Sequence, residues 1–321
     1  MQELHITENE AGQRLDKLLV KFLNEAPKSF IYKMLRKKNI TLNGKKASGS
    51  EKLMPGDCVK LFLSEDTIAK FSSNQVTVTE EHLDIIYEDT HLLLLNKPVG
   101  MLSQKARDSD VSAVEHLISY LLRSGQITTD ELQTFHPSVC NRLDRNTSGI
   151  LAAGKSLAGL QEMSRFFKDR TIEKYYLCPV SGIVKESAYI KGFLQKDDKT
   201  NKVQILKKEE RGSLPIETEY RPLRSSGDVT LLEVHLITGK THQIRAHLAS
   251  EGHPIIGDYK YGDRRLNDSY QKQYGLKSQL LHAYRLKMPE SDGLFSYLSG
   301  REFTAEPPEE FRKICKDRGV M

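Results

Sequence analysis

A break in pattern most constrains this chain. Residues 64–81, SEDTIAKFSSNQVTVTEE, are polar and weakly patterned, and they part a short basic segment from a long strand-rich one. Such a stretch reads as a linker, so two folded units are expected. Before it, Leu15, Leu18, Leu19, Phe22 and Leu23 recur at helical spacing. Asn24 and Pro27 end that helix, and Ser29 is placed to cap a second from Phe30 to Lys37. Ile40-Thr-Leu runs into an Asn43-Gly44 hairpin turn, and Val59 to Leu63 alternates as a closing strand. The expectation is a module over residues 1–63, two helices with a β-ribbon.

The second unit, residues 82–321, begins with strands at Leu83–Tyr87 and Leu92–Leu95. Further strand signals lie at Tyr175–Val180, Val203–Leu206, Glu217–Pro222, Thr230–Leu236 and Gln279–Leu286. Helical patterns cover Ala113–Ser124, Leu157–Lys168 and Thr241–Ser250. Strands outnumber helices and do not alternate with them. That argues for an α+β domain with a mixed, largely antiparallel sheet rather than a doubly wound one.

Charge adds a function class. Between Arg14 and Lys46 stand ten Lys or Arg against two acids, more net positive charge than the whole chain's +5. A solvated helix face interleaves both signs; this segment does not, and it reads as a polyanion-binding appendage. The longest apolar run, Leu92–Leu95, is far too short to cross a bilayer. The polar N-terminus lacks the apolar stretch of a secretory signal. The four cysteines make no CxxC pair and no zinc spacing, which suits reduced thiols in a cytoplasm.

Chemistry concentrates in three places. Asn141-Arg-Leu-Asp-Arg-Asn-Thr-Ser-Gly-Ile150 sets a carboxylate between two arginines at the entrance of an apolar strand. Polar residues on a loop carried by a sheet suit a site, although a plain turn uses the same residue types. Gly149 to Ser156 satisfies GxxxxGK[ST] letter for letter, but its middle, Ile-Leu-Ala-Ala, reads as a buried strand. A phosphate cradle needs exposed amides there, so nucleotide hydrolysis is not expected. In Thr238-Gly-Lys-Thr-His-Gln-Ile-Arg-Ala-His247 a glycine turn leads into a helix. His242 and His247 are five apart and off one face, so no metal is expected; each reads as a capping or satisfied buried histidine.

These segments together resemble the RluA family of pseudouridine synthases. Arg142-Leu-Asp144-x-x-Thr147-Ser148-Gly149 is similar to that family's HRLDxxTSG loop, with Asn141 where the family has His. Asn96-Lys97-Pro98-x-Gly100, Lys174-x-Tyr176, Gly239-x-Thr241-His242-Gln243-Ile244-Arg245, His253-Pro254-x-x-Gly257-Asp258 and Leu281-His282-Ala283 follow in the family's order. The resemblance spans residues 83–288. Residues 1–63 resemble, more weakly, the alpha-L RNA-binding domain of the ribosomal protein S-four type.

The resemblance implies a catalytic domain with a central cleft and an isomerase that needs no cofactor and no metal. Breaking the C–N glycosidic bond of uridine and remaking it as C–C oxidises nothing. Asp144 is then the catalytic carboxylate beside the ribose, as in a retaining glycosidase, and Arg245 is its partner. Tyr176 stacks on the detached uracil, and also serves to take up the final proton of the base carbon. Leu281 packs against the base, and Thr147 belongs to the substrate-binding loop. A uridine inside folded RNA must be flipped out, with Arg142 entering the vacated space. The implied partner is RNA: ribosomal RNA of the large subunit first, as in the C subtype, and transfer RNA second. A non-catalytic ribosome-assembly protein is the rival reading. A cytoplasmic monomer is expected.

Overall fold

A computed structural model describes residues 1–72, 79, 83–197, 200 and 202–321. The first unit carries a sheet of β1 (Gln2–His5), β2 (Ile40–Leu42), β3 (Lys45–Lys46) and β4 (Cys58–Leu61) in the order β1-β4-β2-β3. Helices α1 (Leu15–Phe22) and α2 (Lys28–Arg36) cover it, burying Leu15, Leu18, Leu19, Ile31 and Leu35 against Val59 and Leu61. The helical spacing is thus used as a core stripe. Asn43 and Gly44 both take positive φ, 51° and 73°, as the two-residue hairpin demands. The second helix starts at Lys28, directly after Pro27, and Ser29 does not cap it.

The linker expectation needs correction. Ser64 caps a third helix, α3 (Glu65–Phe71), by accepting the Thr67 N–H at 3.3 Å. Ile68 and Phe71 pack on the first core, with the Phe71 ring 4.6 Å from Phe30. The first unit therefore runs to residue 72. Ser64 followed by two acids is an N-cap signature that the polar composition masked. The rest of the expected linker, apart from residue 79, lies outside the described residues, as does residue 82, the first of the expected second unit.

The second unit is built on β5 (Ile85–Glu88), β6 (Leu92–Lys97), β7 (Ser138–Val139), β8 (Ser148–Gly154), β9 (Glu173–Ser181), β10 (Ala188–Asp197), β11 (Lys202–Leu206), β12 (Leu214–Ser226), β13 (Val229–Leu236), β14 (His282–Lys287) and β15 (Glu302–Thr304). Among the described residues these form one 11-stranded sheet, with the path β11-β10-β12-β13-β9-β14-β8-β6-β5 and β7 and β15 at its side. Helix α4 (Ala113–Arg123) packs on one face and α5 (Leu157–Asp169) on the other. Leu92–Leu95 is consequently buried on both sides, Leu93 and Leu95 toward α4, Leu92 and Leu94 toward α5. That is why the run is continuously apolar. Helices α6 (Gln243–Ser250), α7 (Arg264–Tyr274) and α8 (Glu309–Asp317) complete the unit. The mixed, largely antiparallel α+β expectation holds. Strands β7, β10 and β15 and helices α7 and α8 went unread.

Every pairing on that path is antiparallel except β14 with β8, where His282 faces Ser148 and Ala283 faces Gly149. Two parallel strands start at the same edge. The loop 141–147 before β8 and Leu281 before β14 therefore emerge side by side, tied by Ser148 N–H to the Leu281 carbonyl at 3.3 Å. The approach requires glycine at 149: its φ is 108°, and a Cβ would stand 2.2 Å from the Ala283 carbonyl oxygen.

The two units touch. The Asn9 side chain accepts the Leu157 N–H at the start of α5, and the Thr134 hydroxyl donates to Glu10 at 2.8 Å. The P-loop-like run has a structural use. All of β8 is buried, and Lys155 donates to a Glu88 carboxylate oxygen and the Asp89 carbonyl, both at 2.6 Å. Lys155→Met should lower thermal stability by roughly 1–2 kcal/mol, since it strands those acceptors, and leave turnover of the folded protein unchanged. Melting curves beside activity per folded molecule check this; a large activity loss at unchanged melting would contradict it.

Candidate active site

A cleft of about 490 Å³ opens at the β14–β8 seam, and Arg142, Asp144, Thr147, Tyr176, Arg245 and Leu281 all line it. The six residues singled out by sequence come from the 141–147 loop, β9, α6 and the residue just before β14, and the fold brings them together.

Asp144 sits in a turn closed by the Thr147 N–H donating to its carbonyl at 3.0 Å. Its side chain is 27% exposed, open to the cleft. Beneath it lies Lys97, fully buried, whose ammonium donates to the carbonyls of Pro98, Met101 and Arg145 at 2.9, 2.9 and 3.1 Å. Three protons meet three carbonyls, one of them on the residue after Asp144. Burial pushes the Lys97 ammonium down to about 7, against the pull of Asp144. Lys97 stands in the Asn96-Lys97-Pro98-x-Gly100 motif with no role legible there; a lysine directly before Pro at the end of an apolar strand is the signal. Asn141, the departure from the family pattern, accepts the Ala152 N–H at 2.8 Å and pins the other end of the loop to β8.

Arg245 is 8% exposed. Its Nε and Nη2 donate to Asp258, at 2.7 and 2.9 Å, and its Nη1 donates to Asp144 Oδ2 at 3.1 Å. Burial alone would lower the guanidinium's pKa; the two carboxylates more than offset it and raise it. Helix α6 that carries it is polar yet buried. Gln243 donates to the Glu217 carbonyl, and His247 pairs with the Thr218 hydroxyl at 3.0 Å, so no polar group there is stranded. Burial pushes His247 down to about 4, which suits the satisfied buried histidine expected.

Tyr176 is buried on β9, flanked by Val234 and Ala283. Burial first, and then the charge of Asp144, push its phenol far above the ordinary 10. At neutral pH it is an uncharged ring. Leu281 presents an apolar side chain to the same cleft. The walls add Lys168, Arg170, Lys174 and Lys240, with Arg142 exposed among them, and Asp144 is the one carboxylate among the lining residues described. Burial, with Arg170 nearby, pushes Lys174 down to about 8. A single carboxylate on a guanidinium, beside a ring and an aliphatic wall within a cationic rim, can hold a polyanion and act on one planar base.

Among the described residues no helix is long and apolar enough to cross a membrane. Residues 91–250 match the family model for RNA pseudouridylate synthase. The chain is 34% identical over 291 residues to the ribosomal large subunit pseudouridine synthase C of Vibrio vulnificus, covering 89% of this chain and 88% of that one. It is 32% identical to the protein of the same name from Haemophilus influenzae, over 88% and 86% of the two chains. Among solved structures, human RNA pseudouridylate synthase domain containing 4 superposes with a TM-score of 0.57 at 22% identity, over 72% of this chain and 91% of that one. That likeness bears out the fold. With motifs, fold and relatives in agreement, this chain belongs to the RluA family of pseudouridine synthases and is an isomerase.

Proposed function

We propose that the enzyme converts chosen uridines of large-subunit ribosomal RNA into pseudouridine, with Asp144 acting at the ribose of a uridine flipped out of its helix. One observation carries this reading: Asp144 is open to the cleft, held by Arg245, and faced by Tyr176 and Leu281. The names of the curated relatives supply the substrate class.

Cleaving the C1′–N1 bond builds positive charge on the sugar and leaves the electron pair on the base. A carboxylate serves this step by attack on the sugar carbon or by removal of a sugar proton, and both need it presented as Arg245 holds it. Tyr176 and Leu281 bracket the freed uracil while it turns C5 toward C1′. Keeping that ring from diffusing away is an apolar task, which the uncharged phenol ring and the leucine suit. Arg142, exposed at the rim, enters the space the uridine leaves and stacks on its neighbours.

The first unit is proposed to hold flanking RNA through phosphate contacts. Lys28, Lys33, Arg36, Lys37, Lys38, Lys45 and Lys46 are all exposed, gathered on α2 and the hairpin. The likeness to an S-four-type RNA-binding domain supports the same use.

Pseudouridine mapping of total RNA, by carbodiimide primer extension, tests the substrate. Cells lacking the protein should lose particular large-subunit sites and regain them with the wild-type chain. Loss confined to transfer RNA would overturn the ribosomal assignment. For the first unit, replacing Lys33, Arg36 and Lys37 together by Gln should flatten the plot of log affinity against log salt by about 2 to 3, near one unit per lost phosphate contact. An unchanged slope in filter-binding titrations would remove this face from the RNA.

A further inference from the structure

His242 stands at the mouth of α6 in the left-handed region, φ 53° and ψ 19°, where non-glycine residues are uncommon and side-chain histidines are over-represented. Backbone of this kind persists where the surroundings hold it, often beside reacting groups. Here it lays the imidazole along the cleft wall, with Nε2 3.9 Å from Asp144 Oδ2. The other ring nitrogen, Nδ1, is 2.9 Å from the Tyr261 hydroxyl. That hydroxyl already accepts the Val203 N–H at 3.0 Å. The hydroxyl's own proton is then free to go to Nδ1. In that tautomer the imidazole proton sits on Nε2, the nitrogen that faces Asp144.

We propose that His242 is a second catalytic group: a neutral donor whose Nε2–H bonds a uracil carbonyl oxygen as the C1′–N1 bond breaks. This rests on the reading of Asp144 as the group at the ribose. Uracil O2 is the carbonyl nearest C1′, so a donor beside the carboxylate is near where charge collects on the departing base. The electron pair of the broken bond goes to the base, spread over N1 and the carbonyl oxygens. It returns as the new bond from C5 to C1′, after which C5 loses its proton to water and N1 takes one up, so that the base gains and loses no proton overall. His242 gives and takes no proton; it stabilises the charge only while it exists, the kind of interaction that raises kcat. An imidazole that stayed charged would compete for Asp144 itself. Burial, and the cations Arg245 and Lys260, hold its pKa below the usual 6.5 against Asp144 and Asp258, which favours the neutral ring. Tyr261 is then a positioning residue. It fixes the tautomer, and its ring lies 5.3 Å from the Arg245 guanidinium.

The test uses the full-length enzyme and a ribosomal RNA fragment that the wild type is first shown to modify; failure of the wild type there would count against the proposed substrate alone. His242→Asn keeps a residue that accepts left-handed backbone but is too short to reach, and should lower kcat by about 10²–10³, the loss seen when one such donor is removed. KM and melting temperature should stay close to wild type. His242→Gln, which can return an amide N–H to the place of Nε2, should recover part of the loss. Tyr261→Phe should lower kcat several-fold with KM unchanged. A kcat within twofold of wild type for His242→Asn, or a loss confined to KM, would overturn the proposal, whatever the other variants do.

Discussion

The Arg245 guanidinium is what the rest of the site hangs on. It is buried, and burying a lone cation is costly, so it must be matched. Asp258, 1% exposed, takes two of its N–H groups in a fork, which fixes the plane of the guanidinium. The third points at Asp144. A lysine could not do this, because a point charge has no plane to fix. Arg245 lies 101 residues from Asp144 in sequence and Asp258 a further 13, so three distant motifs converge on one planar ion. Exposure rises from Asp258, which is enclosed, through Arg245 to Asp144, whose side chain is open to the cleft.

The sheet supplies the other constraint. A largely antiparallel sheet with one parallel pairing has a seam where two strand starts lie together. The Asp144 loop and Leu281 share that edge, and β9, next across the sheet, adds Tyr176. Lys97 and Asn141 then hold the loop from below and from its first residue. The cleft's position is thus a consequence of strand direction and not of loop length.

Much of this was legible beforehand. The Leu92–Leu95 run reads as a strand, and the core stripe of α1 is plain in its leucines. The six site residues were placed by motif, and the fold brings all six to one cleft. The legible part stops where residues act through context. Asp258 reads as a turn acid until Arg245 is seen beside it, and Lys97 reads as a surface lysine until its three carbonyls are in view. His242 read as a capping or satisfied buried histidine; its tautomer depends on Tyr261 and on the backbone of β11, which no local pattern joins to it. Helix α7 was missed because Leu266, Tyr270 and Tyr274 are its sparse apolar contacts in a polar stretch, and α3 because a polar run hid its cap.

We propose that Asp144, as Arg245 holds it, carries the reaction. Single-turnover isomerisation by purified Asp144→Asn tests it most directly, since the amide keeps the shape and loses the charge. This variant should form no detectable pseudouridine, with RNA affinity within about tenfold of wild type and the fold intact. Turnover at a rate near wild type would contradict it, and would move the chemistry to another group in the cleft.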